Sequence, residues 1–253
     1  MSFVKRNPHS PTGFFACEAA GLRWLSAAAD GVPCAQVVAV DDDALTLERL
    51  AVGAPDPVAA EEFGARLAHT HDAGADGFGA APDGWTGPGF FGPLHQPLPM
   101  SYAAEASWGS FYAEHRLRPM AERAALDSAT AEDVAAVADR CAAGDFDDDD
   151  QPCRLHGDLW SGNVMWTPDG VVLIDPAAHG GHRETDLAML ALFGCPYLDA
   201  VLAGYQRHHP LRAGWRDRTG LHQLFPLLAH VALFGGGYLG QTRAAARSAL
   251  MLS

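Results

Sequence analysis

The chain has 253 residues, 48% hydrophobic and 19% charged, enough to bury one large core or two lobes that share a cleft. Its formal charge of −14 comes from 31 acidic and 17 basic residues, which argues against nucleic acid or an anionic membrane as the main partner, since phosphate backbones and acidic lipids need clustered Lys and Arg. No apolar run is long enough to span a bilayer and the N-terminus, MSFVKRNPHS, has no apolar signal segment, so a cytoplasmic address is expected.

Residues 3–5 read as a short strand, and Pro8, Pro11 and Gly13 mark a loop after it. Over 14–29 the apolar positions Phe15, Leu22 and Leu25 recur at helical spacing in an Ala-rich stretch. Residues 35–40 and 44–50 are β-prone runs around Asp41, Asp42 and Asp43, which predicts a hairpin. A helix is expected over 57–71, with Pro57 at its start and Glu61 and Glu62 in an early turn.

Residues 73–100 are rich in Gly and Pro and carry Trp85, Phe90 and Phe91, the pattern of a functional or mobile loop. Helices are expected over 101–122 and 129–143, with the acidic run 147–150 as a solvated loop. A second hairpin follows: 164–166, a turn at Thr167-Pro168-Asp169-Gly170, and 171–174. From Glu184 the chain reads as Ala- and Leu-rich helices, and Gly235, Gly236 and Gly237 fall inside a helical pattern with no Lys-Ser/Thr after them, so they are no phosphate loop. The five cysteines (17, 34, 141, 153 and 195) are scattered without metal-ligand spacing, which suits reduced thiols. The expected architecture is α+β and two-lobed, with a small sheet-bearing N-terminal lobe over 1–50 and a larger helical lobe over 51–253.

One constellation carries chemistry. Phosphoryl transfer from ATP needs a carboxylate to take the proton of the attacking hydroxyl, oxygen ligands for Mg²⁺, and a cation to hold the phosphates. In HGDLWSGN (156–163), Asp158 is the candidate base and Asn163 supplies an amide oxygen at the end of the same loop. The hairpin returns the chain to that place, where Asp175 ends the apolar run Val172-Leu173-Ile174 as a second metal ligand. His156 is grouped with the base but reads as a brace of the loop. Lys5 on the first strand and Glu18 in the first helix are placed to form an ion pair that presents an ammonium to phosphate. His71 reads as structural, and His179 and His182 as loop braces or substrate contacts rather than a zinc site. Asp186 reads as a helix cap or a brace of the catalytic loop.

These residues resemble the fructosamine (ketosamine-3-) kinases, relatives of the aminoglycoside phosphotransferases with the protein-kinase-like fold. HGDLWSGN is similar to that family's catalytic loop, and IDPAAHGGHRETDLAM (174–189) to its metal-binding segment. WGSFYAEHRLRPM (108–120), FGARLAHTHDAG and the GFG and GW that follow (63–85), and LHQLFPLLAHVALFGGGYL (221–239) resemble further segments, so the likeness runs from Phe3 almost to the end. It implies Mg-ATP-dependent phosphorylation of the 3-hydroxyl of a free or protein-bound ketosamine, a step in deglycation. Carried over by position, it implies Asp158 as base, Asn163 and Asp175 on Mg²⁺, and Lys5 with Glu18 on the phosphates. It further implies Glu48 and Leu50 as the hinge that meets adenine, and Trp85 and Trp160 lining the sugar site. An aminoglycoside or other amino-sugar kinase is the alternative.

The sequence departs from the pattern at its start. Only four residues precede Lys5, where the family has two strands and a Gly-rich turn that covers the β- and γ-phosphates. The expectation is a start upstream of this one, with a nucleotide-binding pseudokinase as the other reading. The strand bearing Lys5 would then have an exposed edge, able to pair with another chain in a homo-oligomer.

Overall fold

The computed structural model describes residues 2–253. Its N-terminal sheet is organised by the alternation in β3 (Ala44–Glu48), where Leu45 and Leu47 are buried while Thr46 and Glu48 are half-buried. This strand is central, with β1 (Ser2–Arg6) and β2 (Val37–Val40) antiparallel on its two sides. Lys5 lies opposite Leu45, and directly paired residues project from one face of a sheet. The Lys5 side chain therefore points to the buried side, where α1 (Phe14–Ser26) contributes Leu22 and Leu25 to the core. On the outer edge Phe3 and Val4 are about half exposed.

A second hairpin, β7 (Val164–Thr167) and β8 (Gly170–Leu173), is tied to this lobe by backbone. Leu173 N donates to Pro33 O at 2.8 Å and Ala35 N donates to Leu173 O at 2.9 Å. The end of β8 is thereby held beside the N-terminal sheet, which sets where Asp175 can lie relative to Lys5.

The helical lobe begins with α2 (Pro57–Asp72), whose first turn is capped by Asp56 accepting from Val58 N at 2.8 Å, with Pro57 at the first helical position. It crosses α7 (Leu198–His208) with the two backbones in contact. A Cβ on Gly64 would strike the Val201 carbonyl, and one on Gly204 the Glu61 carbonyl. That crossing brings His71 and Tyr205 together. A second core is built by α3 (Trp108–Tyr112), α4 (Arg118–Arg123), α5 (Ser128–Ala142), α6 (Glu184–Leu192), α8 (Thr219–Phe234) and α9 (Leu239–Leu250) around Phe111, Leu117, Val137, Leu224 and Leu228.

Four sequence expectations are corrected. Part of 73–100 is ordered as a hairpin of β4 (Gly89–Phe91) and β5 (Leu98–Met100), strands too short to show a period. The helix expected at 101 begins at Trp108, capped by Ser107, and passes through a π-helical turn, Ala113–Leu117, before α4. Pro119 has no N–H to give the His115 carbonyl, which instead accepts from Arg116 Nη1 at 2.9 Å. Gly235 has φ 80° and ends α8, so 235–237 do not continue the helix. The acidic run is no free solvated loop. Asp147 caps α3 through Gly109 N and Ser107 Oγ, Asp148 meets His182 and Arg212, and Asp150 forks onto Arg183. Only Asp149 keeps a fully exposed side chain.

The α2–α7 crossing predicts the response to one added methyl. Gly64→Ala must push two backbones apart, and we expect it to cost about 1–3 kcal/mol in urea unfolding. An unchanged midpoint would show that the crossing is not close-packed.

Candidate active site

The centre of the site is a loop between β6 (Cys153–Leu155), which pairs with β9 (His179–Gly181), and the single 3₁₀ turn Ser161–Asn163 that leads into β7. Gly157 takes φ 81°, and a Cβ there would collide with the Ala177 carbonyl. Beneath it lies Asp186, fully buried in the first turn of α6. Its carboxylate accepts His156 N at 2.8 Å, Gly157 N at 2.9 Å and His71 Nε2 at 3.2 Å. Burial alone would raise the carboxyl, but the hydrogen bonds it accepts from His71 and Gly157 N hold Asp186 below the usual carboxylate range.

The polarity of this support follows from its far end. Arg183 can only donate, and its Nη1 reaches Tyr205 Oη at 3.1 Å. The Tyr205 proton is then free for His71 Nδ1, 2.8 Å away, and His71 turns its Nε2–H to Asp186. Burial lowers the His71 pKa, in the same sense as an Nδ1 that accepts from Tyr205. Arg183 is itself clamped by Asp150 at 2.7 and 3.0 Å and by Asp72 at 2.9 Å.

Above the support, both nitrogens of His156 are engaged. Asp158 N donates to Nδ1 at 3.2 Å, which leaves Nε2–H for the Ile174 carbonyl at 2.8 Å. His156 is a brace between the loop and the end of β8, away from the cavity. Asn163 points its amide nitrogen at Asp158 O (2.7 Å), Asp158 Oδ2 (3.1 Å) and Asp175 O (3.4 Å), so its Oδ1 is left without a protein donor among the described residues. Asp175 adopts φ 55°, a left-handed backbone in a non-glycine residue, of the kind held at functional sites. Lys5 Nζ bonds Glu18 at 2.7 and 2.8 Å and reaches Asp175 Oδ1 at 3.0 Å. Burial would lower the Lys5 pKa, but the two carboxylates raise it above the usual value.

Lys5, Glu18, Asp158, Trp160, Asn163 and Asp175 line one cavity of about 320 Å³. Of the other expected residues, Trp85 lies outside the lining; its ring packs over Gly13 and its Nε1 donates to Pro88 O at 3.1 Å. Glu48 and Leu50 also lie outside the lining, at and just past the end of β3, where Glu48 N is bonded to Gln36 O while Leu50 N–H has no backbone acceptor among the described residues. Sequence reasoning missed the apolar walls: Phe90, Phe91 and Leu94 from the β4–β5 hairpin, and His230, Leu233 and Phe234 from the end of α8. The signal for Phe234 was faint, a large apolar residue just before a Gly triplet; it is 57% exposed at the cavity rim.

Asp158 is half-buried on the cavity floor. Burial pushes its carboxyl up to about 7, helped by the charges of Asp175 and Asp186 and opposed by the Asn163 hydrogen bond. Such a group exchanges a proton near neutral pH, as a general base must. The arrangement can therefore accept a hydroxyl proton at Asp158, offer oxygen donors at Asn163 and Asp175, and place one ammonium opposite them.

Comparison with known proteins fits this geometry. The family model described as "Fructosamine kinase" matches residues 1–251. A protein of Synechocystis sp. named "Probable ketoamine kinase" is 34% identical over 245 residues, covering 95% of this chain and 80% of its own length. Another of the same printed name, from Lactiplantibacillus plantarum, is 35% identical over 93% of this chain and 82% of its own. A crystal structure from Thermobifida fusca, titled as a "putative fructosamine-3-kinase", superposes with TM-score 0.90 at 47% identity, over 99% of this chain and 86% of that one. An aminoglycoside phosphotransferase structure superposes at TM-score 0.60 and 18% identity, over 99% of this chain and 88% of that one, which shows the shared two-lobed kinase-like α+β fold. No helix among the described residues is long and apolar enough to cross a membrane.

The raised Asp158 carboxyl has a consequence for stability. A carboxyl that holds its proton more tightly when folded stabilises the protein below its unfolded pKa, and that contribution is lost as pH rises from about 4 through about 7. Asp158→Asn removes the buried charge, so we expect its thermal midpoint to exceed the parent's at pH 8 and the gap to narrow at pH 5. Equal midpoints at both values would contradict the assigned pKa.

Proposed function

The chain belongs to the fructosamine kinase family and is a small-molecule kinase, a phosphotransferase with an alcohol group as acceptor, and from that premise we propose that it transfers the γ-phosphoryl of ATP to the 3-hydroxyl of a ketosamine. The observation that carries this reading is the convergence of Lys5, Asp158, Asn163 and Asp175 on one cavity. Asp158 takes the proton of the acceptor hydroxyl; Lys5, held by Glu18, sets its ammonium on the ATP phosphates. The backbone of Glu48 and Leu50 meets adenine, in a cleft between a lobe over 1–50 and a helical lobe over 51–253.

The donor set suits Mg²⁺. Asn163 Oδ1 has no protein donor among the described residues, the Asp175 side chain is 43% exposed, and both present hard oxygens from the two ends of one hairpin. Bound there, Mg²⁺ would neutralise charge on the transferring phosphoryl group. The protein's own part is to orient these oxygens, to hold the acceptor against Asp158 and to exclude water from between them.

The acceptor side is read from the walls. Trp160, Phe90 and Phe234 offer flat apolar faces, which suit the C–H face of a sugar, and Trp160 is 40% exposed within reach of an entering ligand. Glu18, Asp158 and Asp175 against the single cation Lys5 favour an acceptor that carries an ammonium group. A sugar joined to an amine, free or on a protein lysine, meets both conditions. Phosphorylation at its 3-position destabilises the adduct, which gives the reaction its place in deglycation.

Assay of ATP turnover with fructosyl-lysine and ribosyl-lysine beside a panel of aminoglycosides tests the reading. The expected result is transfer to the ketosamines at least tenfold faster in kcat/KM than to any aminoglycoside, and a fall of kcat by about 10²-fold or more in Asp158→Asn. Preferential aminoglycoside turnover would overturn the substrate assignment, and full activity of Asp158→Asn would overturn the base.

A further inference from the structure

Arg116 is fully buried and has no carboxylate partner among the described residues. Its Nη1 donates to the carbonyls of Ser101 and His115, both at 2.9 Å, while Nε and Nη2 have no acceptor among the described residues. Natural interiors rarely leave a charged group in this state, because the desolvation cost of an uncompensated buried ion is large. The faces of the guanidinium are covered by Phe111, 4.5 Å from its ring centroid, and Phe225 at 5.6 Å. Those rings attract a cation through their faces but accept nothing from the N–H groups at its edge.

The residue sits in the π-helical turn Ala113–Leu117, a backbone feature that recurs at functional sites. It lines a small cavity of about 20 Å³ beside Gly157, with Leu155, His179, His182, Met189 and Phe225 among its walls. No acid contributes to that lining, in a chain whose net charge is −14. His179 is neutral there: burial and the nearby Arg116 charge push its pKa down to about 3. The Arg116 charge therefore meets no carboxylate within this lining, where His182 is paired outward to Asp148, and the space is large enough for a single atom-sized occupant. Sulfate, phosphate and carboxylates are too large.

We propose that this cavity is a binding site for a monovalent halide-class anion, chloride in solution, held by Arg116 Nε–H and Nη2–H. A water molecule would fit the space but would leave the guanidinium uncompensated. The anion would complete the packing beside Gly157, outside the cavity that takes the substrates.

The test uses the intact protein dialysed into gluconate buffer. Titration with chloride or bromide at constant ionic strength and pH should raise the thermal midpoint saturably, by roughly 3 °C at tenfold excess over Kd, and sulfate should not reproduce it. A crystal soaked in bromide should show an anomalous peak in contact with Arg116 Nε and Nη2. Arg116→Met should abolish the halide response; should that variant not fold, the anomalous map of the parent decides alone. Water density without an anomalous peak, or equal responses to chloride and sulfate, would overturn the proposal.

Discussion

The site depends on one buried carboxylate. Asp186 accepts two successive backbone N–H groups, from His156 and Gly157, and so fixes the direction in which the loop leaves β6. Hydrogen bonds to a charged group contribute about 1.5–3 kcal/mol each, but only if the charge itself is sustained in the interior. Here it is sustained by His71, whose tautomer is set by Tyr205, whose proton is in turn directed by Arg183. The close crossing of α2 and α7 at Gly64 and Gly204 places His71 and Tyr205 within reach of each other. A helix-packing feature thus reaches the loop at His156 and Gly157 through a chain of oriented hydrogen bonds.

A second constraint joins the lobes. Lys5 would be an isolated cation on a sheet edge without Glu18, and Asp175 would have no fixed relation to either without the backbone pairing of Leu173 with Pro33 and Ala35. Burial of Lys5 and Glu18 makes their mutual attraction stronger than at a surface, while the 43% exposure of Asp175 leaves that carboxylate open to the cavity. The arrangement is rigid where support is needed and open where ligands enter.

Much of this was legible in the sequence, for local reasons. The turn residues Pro168, Asp169 and Gly170 specify a tight hairpin, so Asn163 and Asp175 had to lie side by side despite twelve residues of separation. Lys5 and Glu18 fall on adjacent elements, so their pairing could be anticipated. What escaped was set by tertiary placement. Phe90, His230 and Phe234 come from two elements far apart in the chain and meet only across the cavity. Trp85 carried the same apparent aromatic signal, yet its ring closes over Gly13 instead. The acidic run looked solvated because nothing local marks Asp150 for Arg183, 33 residues on. The π-helical turn at Arg116 was equally hidden, since a single Pro119 signals a break but not its form.

The most direct test of the account is a crystal structure of the chain with Mg²⁺ and a non-hydrolysable ATP analogue. The account predicts the metal bound to the Asp175 carboxylate and Asn163 Oδ1, the Lys5 ammonium on the phosphates, and adenine against Glu48 and Leu50, with the loop over Asp186 unmoved. A nucleotide seated elsewhere, or a metal held without Asp175 and Asn163, would contradict it.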